Sequence, residues 1–157
     1  LMAEVTPFSE LPDIAGETFH LSDFQSDREM QIPSPSFLTA RGKFLHYERK
    51  RLLRAAFPVP EEYSNPAGFL QGGYITVLMD DTFGPLSYLA AGRPVVTLNL
   101  GMTFVRPVPI TEEYLVLEAE VVSRGRSVLT MRGQVETSRG RLVATATSTN
   151  QVIREQR

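Results

Sequence analysis

Apolar and polar residues alternate through most of the second half of the chain. Val96, Leu98, Leu100, Met102 and Phe104 alternate with smaller or polar residues up to Arg106-Pro107. Leu115, Leu117, Ala119 and Val121 alternate with Val116, Glu118 and Glu120, and Leu129, Met131, Gly133 and Val135 with Thr130, Arg132, Gln134 and Glu136. Leu142, Ala144 and Ala146 stand opposite Val143, Thr145 and Thr147. A period of two on this scale predicts antiparallel strands with one buried face. Ser123-Arg124-Gly125-Arg126 and Ser138-Arg139-Gly140-Arg141 are glycine-centred and suit hairpin turns between them.

The stretch from Gly72 to Ala91 is apolar on nearly every side, which predicts a helix enclosed by the rest of the fold, terminated at Gly92. Gly84-Pro85 inside it predicts a kink or break, because proline lacks a backbone donor and clashes with the preceding turn. Upstream, Phe37 to Phe57 suits a long exposed strand or a bent hairpin, although Lys43 to Arg54 also fits a basic helix. Pro58 and Pro60 end it, and Glu61 to Gly68 is rich in turn formers. Prolines at 7, 12, 33 and 35 leave the first 36 residues without a lasting period. The expectation is an irregular arm over 1–36 and one domain over 37–157. That domain is α+β, a single central helix wrapped by a curved antiparallel sheet.

Composition narrows the function. At 157 residues the chain has room for one core, and its net charge of -2 removes the electrostatic case for a nucleic-acid partner. The absence of cysteine excludes a thiol nucleophile, disulfides and thiolate metal sites together. The longest apolar run, Tyr74 to Met79, is far short of the ~20 residues a membrane span needs. Glu4, Glu10 and Asp13 interrupt any signal-like pattern. These features suit a soluble, cytoplasmic protein with no metal. There is no Gly-x-Ser-x-Gly elbow and no His-Glu-x-x-His motif.

The specific feature is Asn65-Pro66-Ala67-Gly68-Phe69-Leu70-Gln71-Gly72-Gly73, leading into the helix, with Asp80 following on it. Two glycines at a helix start let a carbonyl approach the backbone closely, and the unpaired amides there favour developing negative oxygen. A carboxylate on an enclosed helix is costly unless paired or useful. This pattern resembles the hotdog-fold thioesterases of the phenylacetate-pathway type, whose motif is Asn-Pro-x-Gly-x-x-His-Gly-Gly followed by a helix acid. The resemblance spans about residues 37 to 150. It implies a hotdog fold and hydrolysis of an acyl-CoA thioester, with Asp80 as base or nucleophile. It further assigns the oxyanion donor to Gly72, a hydrogen bond to the nucleophile or thioester to Asn65, and support of Asp80 to Thr97. No separate cofactor is implied, since coenzyme A is part of the substrate. Gln71 stands where the family most often has histidine, keeping a donor and acceptor but no titration near neutrality. Gln71 and Gly73 are substrate-binding candidates, and Arg124 and Arg126 are candidates for the coenzyme A phosphates.

The resemblance also implies a homodimer or a dimer of dimers. Helix geometry agrees, because Gly72 and Asp80 are separated by a rise of roughly 12 Å and point about 80° apart. One helix cannot bring both to one carbonyl. Two rival readings have less support. A hydratase would need a histidine beside the acid, whereas the only histidines, His20 and His46, lie outside the loop-helix unit. A non-catalytic acyl-CoA-binding domain would keep the pocket without needing Asp80.

Overall fold

The structure, a computed structural model, describes residues 4–18 and 30–154. His20 lies outside the described residues. A 3-10 turn at Phe8–Glu10 and the short helices α1 (Ala15–Thr18) and α2 (Pro35–Thr39) precede the strands β1 (Lys43–Glu48) and β2 (Leu52–Pro58). Helix α3 (Gly72–Ala91) follows, then β3 (Val95–Phe104), β4 (Tyr114–Arg124), β5 (Val128–Thr137) and β6 (Leu142–Val152). The six strands form one antiparallel sheet in the order β1-β2-β4-β5-β6-β3.

Helix α3 packs across this sheet through Ile75, Leu78, Met79, Phe83 and Leu86, all buried, against Leu115, Leu117, Leu129, Met131 and Val135. Gly133 of β5 makes that approach possible. A Cβ there would stand 2.6 Å from Met79 Cε, 2.8 Å from the Glu118 carbonyl oxygen and 2.9 Å from Phe83 Cζ. The inward faces expected for β4 and β5 are the observed ones. Gly92 ends the helix in the left-handed conformation at φ 64°.

Some expectations change. The segment 37–57 holds the bent hairpin, one of its expected readings, and not a single long strand or a basic helix. Its start lies in α2, where Ser34 caps the helix by accepting from the Phe37 amide and Pro35 occupies the first turn. Phe37 is buried and stacks on Phe44, ring centroids 4.2 Å apart. The remainder is the β1–β2 hairpin, and β2 is mostly buried because it lies between β1 and β4. Nor does Gly84-Pro85 break α3, which runs unbroken through Pro85. Ser87 Oγ donates to the Gly84 carbonyl at 2.6 Å, adding a bond in the region that proline weakens.

The largest departure is β3. Alternation places its apolar residues on a buried face, yet Val96, Leu98 and Phe104 are 46%, 58% and 45% exposed. β3 is an edge strand, paired only with β6 among the described residues, and its register shifts between Thr97 and Asn99, which interrupts the alternation.

Candidate active site

The loop before α3 is built around Asn65. Its Oδ1 accepts from the amides of Ala67 at 2.9 Å and Phe69 at 3.1 Å, the Asx-type turn expected of Asn-Pro. Gly68 takes φ +81°, a conformation glycine allows cheaply, and Leu70 N–H donates to the Val108 carbonyl at 2.8 Å. The loop therefore delivers Gln71 as the N-cap of α3, with no side-chain cap to the helix. The Gln71 carbonyl accepts from Tyr74 and Ile75, while Gly72 and Gly73 are the first amides of the helix and have no acceptor within it. Gly73 is exposed, and a Cβ on it would meet nothing within 4 Å. Packing thus gives no reason for glycine at 73; an open helix start does.

Further along the helix, Val77 and Asp80 share the face left free by the sheet. Asp80 is not enclosed as expected: its side reaches solvent in the single chain, because the stripe Gly73, Val77, Asp80 points away from the core. Atoms still crowd the carboxyl enough that desolvation raises its pKa, with Thr97 opposing the shift. Thr97 Oγ1 lies 3.4 Å from Asp80 Oδ1, a long hydrogen bond. Asp80 and Thr97 line a cavity of about 180 Å³, together with Ile32, Ser34, Tyr88 and Val95 among others. Burial first, and then the charge of Asp80, also raise the Tyr88 pKa.

Asp81 is not the free surface acid that its place beside Asp80 suggests. Ser36 Oγ donates to Asp81 Oδ2 at 2.6 Å, and Ser34 Oγ lies 3.4 Å from Oδ1. Sequence reasoning missed these two serines; Ser34-Pro35 is a helix-start signature but carries no signal of the contact with Asp81. Leu70 and Phe83 are core residues, whereas Tyr88 lines the cavity.

The basic candidates sit elsewhere. Arg124 Nη1 donates to the Ala90 carbonyl at 2.8 Å, pairing the negative end of α3 with a cation. With Arg93, Arg126 and Arg154 it lines an open hollow beyond the end of α3. Arg106 Nη1 donates to the Leu142 carbonyl at 2.5 Å and acts as a strand clamp. His46 is exposed on β1, its ring nitrogen 3.3 Å from Glu48. No helix is long and apolar enough to cross a membrane among the described residues.

Residues 67–144 match the model of the thioesterase superfamily. Among solved structures, a phenylacetic acid degradation-related protein of Ralstonia eutropha is 31% identical, with a TM-score of 0.68 over 76% of this chain and 92% of that one. A mutant of the phenylacetic acid degradation protein PaaI from Thermus thermophilus is 25% identical, TM-score 0.68, over 76% of this chain and all of its own. A hypothetical thioesterase protein with coenzyme A from Streptococcus pneumoniae shares the fold at 22% identity and TM-score 0.69, over 78% of this chain and 94% of its own. Among curated proteins none gives a significant match. A central helix on a six-stranded antiparallel sheet is the hotdog architecture, and the chain belongs to the thioesterase superfamily.

Proposed function

We propose that the protein hydrolyses an acyl-CoA thioester to the free acid and coenzyme A, with Asp80 as the catalytic carboxylate. The observation that carries this reading is a crowded acid of raised pKa, beside a hydroxyl, lining a cavity on the free face of α3. A carboxylate whose pKa is raised holds a proton more strongly and is a better base toward water. Water activated by Asp80 adds to the thioester carbonyl, the C–S bond breaks, and the departing thiolate takes up the proton. Attack by Asp80 itself, with water releasing the acid in a second step, uses the same geometry. Thr97 supports the carboxylate in either case.

The developing oxyanion needs a donor within about 3 Å. The open amide of Gly72, flanked by Gly73, has the right chemistry but lies roughly 12 Å along the helix from Asp80. The donor for Asp80 therefore comes from a second chain, with Asn65 and Gln71 beside it. The exposed apolar edge of β3 supports such a twofold pair: Thr97, near Asp80, and Phe104, whose ring lies against Gly72, are at opposite ends of this strand. Antiparallel pairing of two β3 edges brings the start of one α3 to the middle of the other. Arg126, with Arg93 and Arg154, supplies charge suited to the coenzyme A phosphates, while Arg124 is partly committed to α3.

Mixing Asp80→Asn chains with Asn65→Ala chains tests the shared site. In each mixed dimer one site collects both lesions and the other neither, so random pairing restores about a quarter of the sites. Activity no higher than that of either parent, with mixed dimers confirmed by mass spectrometry, rejects sharing.

A further inference from the structure

The 180 Å³ cavity at Asp80 has a wall that does not come from the helix or the sheet. Gln31, Ile32 and Ser34 supply it, from the segment just before α2. This wall is held at its downstream end in two ways. Ser34 caps α2, whose Phe37 stacks into the core on Phe44. Ser34 and Ser36 also hydrogen-bond Asp81, the residue next to Asp80 on α3. A wall fixed both to the core and to the helix that carries the acid cannot swing away without breaking these bonds. Size discrimination requires such a wall, because a pocket that yields accepts the extra atoms.

The volume on this chain's side of the site suits the acyl end of a thioester. A cavity of roughly 150 Å³ takes one benzene, so on the same proportion 180 Å³ takes about seven non-hydrogen atoms. The pantetheine arm of coenzyme A has more than twice that number. Resting on the acyl-CoA reading above, we propose that Gln31–Ser34 is the specificity wall of the acyl pocket, confining the substrate to compact acyl groups. Ile32 is the residue of this wall with the bulk to set the limit, and Tyr88 and Val95 provide further apolar contact.

The experiment is a kcat/KM series over butanoyl-, hexanoyl-, octanoyl- and decanoyl-CoA for the full chain, Ile32→Ala and Ile32→Phe. The full chain falls at least about tenfold between hexanoyl and decanoyl, the size of effect that a few excess methylenes produce against a fixed wall. Ile32→Ala recovers decanoyl relative to butanoyl by a similar factor, and Ile32→Phe moves the optimum shorter. A flat profile in the full chain overturns the wall, as does an unmoved profile in both variants when their melting curves match the parent. If the full chain cleaves no CoA ester at all, the acyl-CoA reading itself falls and takes the wall with it.

Discussion

Replacing Asp80 with asparagine separates catalysis from stability in opposite directions. The substitution keeps the shape and removes the charge. If Asp80 moves the proton, losing it costs about 10²- to 10⁴-fold in turnover, or roughly 3–5 kcal/mol of barrier. Stability responds differently. Desolvation raises the Asp80 pKa above its ordinary 3.8, so between the unfolded and folded values the native state binds more protons than the unfolded one. Stability therefore falls as pH rises through that window, and at neutral pH the ionised carboxylate is a burden on the fold. Because the side chain reaches solvent, that burden is small. Asp80→Asn should thus melt at or slightly above the parent temperature at pH 7 while losing nearly all thioesterase activity. The assay pairs release of free thiol from a CoA ester with a thermal melt. Parent-level turnover refutes the catalytic assignment. Activity lost together with a fall in melting temperature shows that Asp80 serves the fold instead. The same shift makes the acid limb of the parent's kcat/KM profile lie above 3.8.

Gly133→Ala places a methyl against Met79, Phe83 and the Glu118 backbone, and the backbone contact cannot relax cheaply. It should cost ~1–3 kcal/mol, read as a drop of about 2–12 °C in Tm. Replacing both His20 and His46 by glutamine should leave turnover close to the parent's; near-complete loss in a folded protein would revive a histidine-based reaction. Arg126→Ala should raise KM for a CoA ester by about two- to fivefold, the effect of one exposed charge, while sparing an acyl thioester that lacks phosphates. Equal effects on both substrates would show that Arg126 does not meet the phosphates.

Where local signals and the fold agree, the elements were legible. The period-two runs of β4 and β5, the glycine at 92 and the turn formers from 64 to 68 each named their structure, because each depends on the chain's own neighbours. Proline at 85 does not break the helix, for the opposite reason. Its local cost is real, but packing on both sides of the turn holds α3 together regardless. The arm carries a weaker signal. Scattered prolines hide a helix of five residues whose evidence is one cap and one buried phenylalanine. The contacts of Ser34 and Ser36 with Asp81 span more than forty positions, and no periodicity reports such a pairing.

The strand β3 carries the most instructive failure. Alternation predicts which residues avoid water, but it does not say whose surface covers them. Val96, Leu98 and Phe104 follow the pattern of a buried face, yet in one chain they meet solvent at the sheet edge. Asp80 repeats this discrepancy on the helix: the sequence implies enclosure, while the single chain leaves the acid at the surface. Thr97 joins the β3 edge to the acid, while its neighbour Val96 points to the other face of the strand. A second chain along this edge would account for both, covering the apolar edge and closing the site at once. The overestimated burial of Asp80 and of the β3 edge thus falls where the proposed second chain would sit.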